Sequence, residues 1–333
     1  MNRKIRWGLL GAGKILDRWM KGARQLEDME IVAVASRTRE RAEKTAEKFQ
    51  IPEALTYEEM LVRKDIDVVY IPVPHTAHMD LAIKAMEAGK SVLVEKPAGI
   101  NVQQWEKMTE CARKNQVFLM EAVWTRFFPL IKEIEAHLKD IGDVRVVSTN
   151  FSFRNDEMDS RLMDPNRAGG SLLDVGVYDL HFTKMILQKD PILLSGVASM
   201  DTDEHHLQVD EQAAWIAQYD KGELGLMCSA IRTDMIDTAY IYGTKGHMII
   251  PQFWKPWQLQ LTVGDKVETI ECPVPQKIAG IEDEGYQFEI AHVNQCIREG
   301  MKESPVMTWE ETASILKQCD MLRKQWGLKY PQD

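Results

Sequence analysis

The sequence predicts an α/β chain in two parts. Residues 1–122 read as a parallel-sheet domain. Residues 123–333 read as a second α/β domain built on a large open mixed, partly antiparallel sheet, its last helix packing back on the first domain. Three observations predict this. Short apolar runs alternate with helical stretches through the first 120 residues. A glycine-rich turn follows the first apolar run. Beyond residue 187, strand-length runs follow one another with glycine turns between them.

The elements follow in order. Ile5 to Leu10 reads as a buried strand, then glycines, then a helix from about Lys14 to Ala23. Ile31 to Ser36 is a second strand. The next helix carries Ala42, Ala46 and Phe49 on one side, at spacings of four and three. Thr56 and Glu59 have the spacing of a capping box and start a short helix. Asp67 to Ile71 is a strand ended by Pro72 and Pro74. A helix from about Ala77 to Ala88 stops at Gly89. Ser91 to Val94, a helix capped by Asn101, and Val117 to Met120 complete the alternation. Strands of this length with helical crossovers form a sheet covered on both faces. Gly11, Pro72 and Glu95 then fall at the carboxyl ends of strands, the edge where such sheets bind ligands.

The rhythm changes after residue 122. A helix starts at Phe128-Pro129, and Val144 to Phe153 is a long strand. A polar loop over 155–167 leads to Ala168-Gly169-Gly170 and a helical stretch between Ser171 and Leu187. Strand candidates then run from Ile192 to Cys272, punctuated by Gly222, Gly243, Gly246 and Gly264. Two helices follow, over about Gly285 to Arg298 and from Thr308, whose spacing to Glu311 repeats the capping box.

Composition narrows the function classes. The chain has 333 residues, 44% apolar and 28% charged, with a net charge of −10. An acidic chain is a poor partner for nucleic acid, which needs a basic surface. No stretch approaches the roughly 20 apolar residues of a membrane helix. The N-terminal run is broken by glycines too early for a secretory leader. The five cysteines are scattered, without the spacing of a zinc or redox motif. Reduced thiols and a cytoplasmic location are expected. The scattered His, Cys and Asp residues offer no metal-ligand set.

The first chemical signal is Gly8-Leu-Leu-Gly11-Ala-Gly13-Lys14-Ile15-Leu16. Gly11 and Gly13 are the first two glycines of G-x-G-x-x-G, and Leu16 stands in place of the third. Gly11 allows a tight turn. Gly13 admits a pyrophosphate to the backbone, where the amides opening the helix at Lys14 and Ile15 bind the anion. The placement between strand and helix is what gives the motif its weight.

The second strand ends Ala35-Ser36-Arg37-Thr38-Arg39, with no acid before Glu40. Ser36 and Arg37 suit the extra phosphate of NADP better than the free ribose of NAD. The plainer alternative makes Arg37 and Arg39 surface charges and admits both cofactors. Pro72, His75 and His78 follow the strand ending at Ile71; each histidine borders the nicotinamide or simply packs its helix. Glu95-Lys96-Pro97 leaves a strand without a break, so Glu95 and Lys96 face the ligand crevice. Lys96 can bind the nicotinamide side or tune a proton donor. On a helix, Asp174 and Tyr178 share a face. Tyr178 is the candidate acid/base, Asp174 an orienting group, and His181 a relay or a packed residue. Trp124 joins the domains or touches substrate.

These motifs, with the Gly169-Gly170…Asp174-Val-Gly176 run, make the chain resemble the Gfo/Idh/MocA family, and within it the dihydrodiol and D-xylose dehydrogenase branch. Further matching stretches are Phe118 to Pro129, Gly243-Thr-Lys-Gly246, Lys302 to Val306 and Tyr330-Pro-Gln-Asp333. The resemblance implies an N-terminal Rossmann domain, a homodimer through the second-domain sheet, and reversible hydride transfer between a nicotinamide cofactor and a carbinol carbon. It implies that Tyr178 is the acid/base, assisted by Lys96, and that Trp124 and Phe151 line the substrate pocket. Asp179 and His181 depart from that branch. Two alternatives stay open: a non-catalytic NADP-binding sensor or scaffold, and a reductase of phosphorylated or dicarbonyl substrates, with Arg126, Arg154, Arg161 and Arg167 as candidate phosphate ligands.

Overall fold

The computed structural model describes residues 3–200 and 208–333. The first two residues of the basic N-terminal stretch lie outside them. The chain divides into two compact units. One comprises Met1–Phe127 with Val274–Ala313, the other Phe128–Pro273 with Ser314–Asp333.

The first unit holds strands β1 (Ile5–Leu10), β2 (Met29–Ala35), β3 (Glu53–Leu55), β4 (Val68–Ile71), β5 (Ser91–Glu95) and β6 (Leu119–Ala122). Its helices are α1 (Leu16–Arg24), α2 (Arg39–Phe49), α3 (Tyr57–Val62), α4 (His78–Glu87) and α5 (Val102–Asn115). The sheet is fully parallel in the order β3-β2-β1-β4-β5-β6. This is the doubly wound order in which the connection reverses between β1 and β4, where ligands bind. All four residues of β4 are buried, which explains its unbroken Val-Val-Tyr-Ile run. The expected capping box forms, with both the Thr56 and Glu59 bonds present, and Asn101 caps α5. The three-residue edge strand β3 is an addition to the predicted elements.

On α1, Leu16, Trp19, Met20 and Ala23 are buried at helical spacing. Leu16 thus fills the core where the glycine motif would place its third glycine. Helix α8 (Tyr286–Arg298) belongs to this unit and packs against α1 so closely that a Cβ on Gly22 would lie 2.6 Å from the Cβ of Tyr286.

Within the second unit are helix α6 (Pro129–His137), strand β7 (Val144–Ser152) and helix α7 (Val177–Leu187). Strands β8 (Leu193–Met200), β9 (Asp210–Gln218), β10 (Leu224–Ala230), β11 (Thr238–Gly243), β12 (Gly246–Pro251), β13 (Gln258–Val263) and β14 (Lys266–Glu271) complete its sheet. The order is β14-β13-β12-β11-β7-β10-β9-β8. Among the described residues only β10 and β7 pair in parallel in this sheet, which is mixed and mainly antiparallel. Strand β9 alternates buried and exposed residues along most of its length. Helix α7, buried almost throughout, covers one face. The other face leaves Val197, Ile216 and Leu226 exposed. Helix α9 (Trp309–Trp326) has its first turn in the first unit and the rest in the second. Thr308 caps it through the amide of Glu311.

Candidate active site

The glycine turn is shaped by its neighbour. Gly11 has φ +143°, a conformation that favours glycine, and its amide donates to Ala35. A Cβ on Gly11 would lie 2.6 Å from the Val73 side chain, and one on Gly13 would collide with the Pro72 carbonyl. The turn therefore lies against the exit of β4, at the reversal point of the sheet. Among the described residues, the amides of Ala12, Gly13 and Lys14 donate to no backbone carbonyl outside regular elements. Lys14 is exposed and Ile15 is the residue before α1. A loop of undonated amides at a helix start fits the pyrophosphate of a dinucleotide.

Ser36, at the end of β2, is buried, and Arg37 beside it is exposed. Arg39 is occupied by Glu59 and by the Ala54 carbonyl. Arg41, which the sequence reading passed over, donates to the Ala12 carbonyl at 3.0 Å. Its position on the first turns of α2 brings it back to the glycine turn, a relationship that helical spacing alone does not reveal. Arg37 and Arg41 both act on Tyr57, lowering its phenol against the larger upward push of burial.

At the next strand ends, Pro72 is buried and His75 is 4% exposed. His78 is fully buried, with one ring nitrogen 2.8 Å from the Pro97 carbonyl and the other 2.9 Å from that of Val73. His78 thus ties the β4 exit to the Glu95-Lys96-Pro97 turn. Lys96 is half-buried, its peptide to Pro97 is cis, and its amide donates to Glu95 Oε2 at 3.1 Å. Tyr70 donates its hydroxyl to the other oxygen of Glu95 and stacks on Trp19 at 4.6 Å. Glu121 accepts from the Ala98 amide and from Thr312, both at 2.8 Å. Glu289 of α8 is fully buried beside these acids. Burial first, then the charges of Glu95 and Glu121, hold its carboxyl well above the usual carboxylate range. Trp124 is 2% exposed and stacks on Tyr286 at 4.1 Å, with the Arg18 guanidinium 5.1 Å from its ring.

The remaining candidates lie in the second unit. Asp174 sits in a five-residue π-helical turn, Leu172–Gly176, that leads directly into α7. The wider turn rotates Asp174 relative to the α-helical placement expected from four-residue spacing; such turns recur at functional sites. Gly176 permits it, because a Cβ there would stand 3.0 Å from Trp215 and 3.1 Å from Ser229 Oγ. Arg161 Nη2 donates to Asp174 Oδ1 at 2.7 Å. Tyr178 opens α7 and is 8% exposed. Phe151 meets its ring edge-on at 5.3 Å and stacks on Trp254 at 4.8 Å. Trp254 donates weakly to Asp237 at 3.3 Å. Tyr178, Phe151 and Trp254 thus form one aromatic cluster, with Asp237 at its Trp254 end. Asp179 and His181 face the core and are buried. Burial pushes the Asp179 carboxyl well above its ordinary range. Of the candidate phosphate ligands, Arg126 pairs with Glu311, Arg154 with Asp156, Arg167 with Asp164, and Arg161 with Asp174. No group of three metal-ligating side chains occurs among the described residues.

A doubly wound sheet with a glycine turn at its reversal point, joined to a mixed-sheet unit, defines a nucleotide-binding α/β protein. Residues 5–123 match the oxidoreductase family with an NAD-binding Rossmann fold, and residues 136–249 match the GFO/IDH/MocA C-terminal domain. The mouse trans-1,2-dihydrobenzene-1,2-diol dehydrogenase is 35% identical over 335 residues, covering 99% of both chains. The human protein of that name is 34% identical with the same coverage. The chain belongs to the Gfo/Idh/MocA oxidoreductase family. In fold it matches KijD10, a 3-ketoreductase from Actinomadura kijaniata in complex with NADP and TDP-benzene, with a TM-score of 0.86 at 22% identity, covering 97% of this chain and 98% of that one. It also matches an aldose-aldose oxidoreductase from Caulobacter crescentus complexed with glycerol, at a TM-score of 0.84, 22% identity and 97% coverage of each.

Proposed function

We propose that this protein is an NADP-dependent oxidoreductase acting at a carbinol or carbonyl carbon of a sugar, diol or related small molecule. The observation that carries this reading is the Tyr178 cluster. A phenol at the start of a buried helix meets Phe151 edge-on, Phe151 stacks in turn on Trp254, and an arginine-held carboxylate lies four residues earlier in the chain. Full-length relatedness to proteins named as diol dehydrogenases supports the substrate class.

The dinucleotide is held by the amides around Gly11, Gly13, Lys14 and Ile15, with Ser36, Arg37 and Arg41 at its extra phosphate. NADP is preferred because the cations stand where an NAD site carries an acid. NAD remains a usable second cofactor. Pro72, His75, His78, Glu95 and Lys96 make up the rest of the cofactor side. When bound, the nicotinamide supplies the hydride donor or acceptor. Tyr178 Oη gives its proton to the carbonyl oxygen in reduction and takes it from the hydroxyl in oxidation. Asp174 orients a substrate hydroxyl, and Lys96 contributes a positive charge. Trp124 and Phe151 contact the substrate. Residues 1–122 provide the dinucleotide site, and 123–333 the substrate and dimerisation surfaces.

A homodimer through the open face of the eight-stranded sheet is part of the same reading. Val197, Ile216 and Ile236 are 72%, 51% and 85% exposed there, more apolar surface than a lone sheet face comfortably leaves in water. No helix among the described residues is long and apolar enough to cross a membrane. The five cysteines, scattered along the sequence, fit a cytoplasmic placement. An NADPH-oxidation screen over aldoses, keto-sugars, α-dicarbonyls and cyclic ketones, with NADH in parallel, tests the whole reading. Saturable, NADPH-selective turnover with one group is expected. Tight NADPH binding without turnover on any group counts against it.

A further inference from the structure

The loop over 161–170 begins at Arg161, the residue that holds Asp174. It is neither strand nor long helix, and it folds on itself. The Gly170 amide donates to Leu162 at 2.8 Å and the Gly169 amide to Asp164 at 3.1 Å. Ala168 takes a left-handed φ of +51°, and a Cβ on Gly169 would collide with the Leu162 carbonyl. Its far end is fixed by Asp210, which accepts from the Leu172 amide at 2.6 Å and from Ser171 Oγ at 3.0 Å.

The middle of the loop is held from residues that follow α9. Tyr330 donates its hydroxyl to the Gly169 carbonyl at 2.6 Å, and Gln332 donates to the Asn166 carbonyl at 2.9 Å. Tyr330 is itself fixed. The Arg323 guanidinium lies 4.8 Å from its ring centre, and its amide donates to Asp333 at 2.8 Å. Arg323 binds Asp333 at 2.8 Å and Asp320 at 2.8 Å. Tyr330 is 3% and Arg323 4% exposed, so the bond from Tyr330 to Gly169 is shielded from water.

We propose that residues 323–333 form a clasp that sets the position of the loop 161–170 beside Asp174, with Tyr330 as the positioning residue for substrate. The clasp rests on the functional reading above. It acts through the loop: Tyr330 fixes Gly169, the loop fixes Arg161, and Arg161 aims Asp174. Substrate binding depends on this chain, whereas the dinucleotide site of the first unit does not.

Tyr330→Phe removes one hydroxyl at constant shape. A lost buried hydrogen bond predicts amide exchange over 162–170 faster by roughly 5- to 10-fold and a substrate KM raised by a similar factor. The kcat stays within about two-fold and the NADPH Kd is unchanged, a split that general loosening of the fold does not produce. Gln332→Ala, at an exposed position with little bearing on folding, moves both readouts the same way by a smaller factor. An active wild type whose Tyr330→Phe variant keeps its KM, or loses NADPH affinity in step, overturns the clasp. A wild type inactive on every carbonyl overturns the functional reading instead. Loop exchange then judges the clasp by itself: faster exchange in the variant supports it, and unchanged exchange overturns it.

Discussion

Arg161 and Asp174 meet at 2.7 Å, although the arginine side chain is 41% exposed and the aspartate side chain only 7%. The contact joins a surface loop to a buried carboxylate at the head of α7. Removing the arginine leaves that carboxylate without this charge partner. Arg161→Leu is expected to raise substrate KM about 10-fold and to cost about 1 to 2 kcal/mol of stability, less than a fully buried pair because water reaches one partner. Steady-state kinetics and urea unfolding check the two effects. A variant with wild-type KM removes Asp174 from substrate orientation.

Tyr178→Phe keeps the ring against Phe151 and deletes only the proton carrier. The expected result is a fall in kcat of about 100-fold or more with NADPH affinity within two-fold of wild type. Stopped-flow single turnovers and a fluorescence titration separate the two. Undiminished turnover assigns the proton to another group.

Arg37→Glu places a negative charge where the extra phosphate is expected. NADPH should bind about 10- to 100-fold more weakly, with NADH affinity nearly constant. Arg41→Ala should act in the same direction. Calorimetric titration with both cofactors reads the difference; equal losses for the two cofactors contradict a phosphate role.

Asp210 gives a pH signature. Burial pushes its carboxyl up to about 6, against the bonds from Leu172 and Ser171. An unfolded aspartate ionises near pH 4, so between about pH 4 and 6 only the unfolded chain releases this proton. Stability from this group is present below pH 4 and is lost as pH rises to about 6. Two pH units correspond to an upper bound of about 3 kcal/mol. Asp210→Asn should therefore gain on wild type as pH rises from 4 to 7, measured as the difference in unfolding free energy. A constant difference across that range rules out the titration.

The legible parts of the fold were those governed by local pattern. The strands from Ile5 and Val68 read clearly because, Arg6 apart, both carry uncharged residues that are buried on both faces. Thr56 and Asn101 announced their helices through caps that depend on three-residue spacing. Strand β3 escaped because its Glu53 is exposed and its three residues carry no apolar repeat. The π-helical turn escaped because its cause is tertiary: Gly176 lies against Trp215 and Ser229, about 40 and 50 residues downstream. Around the candidate site, Gly11, Glu95 and Tyr178 were marked by motif. Tyr286 against Trp124 and Glu289 among the acids join residues far apart in sequence, and no spacing rule relates them. Trp254 stacks on Phe151 across about 100 residues of sequence, a pairing that no local spacing reveals.

The first unit also has a schedule imposed by synthesis. Trp7 donates its indole N–H to Asn294 at 2.9 Å, a partner 287 residues later, and Gly22 rests against Tyr286. On the ribosome, β1 and α1 emerge long before the helix that covers them. The nascent first unit therefore waits with an uncovered α1 flank while the whole second sheet is translated. Early release of the chain between these points leaves an incomplete core that chaperones, not native contacts, must shield.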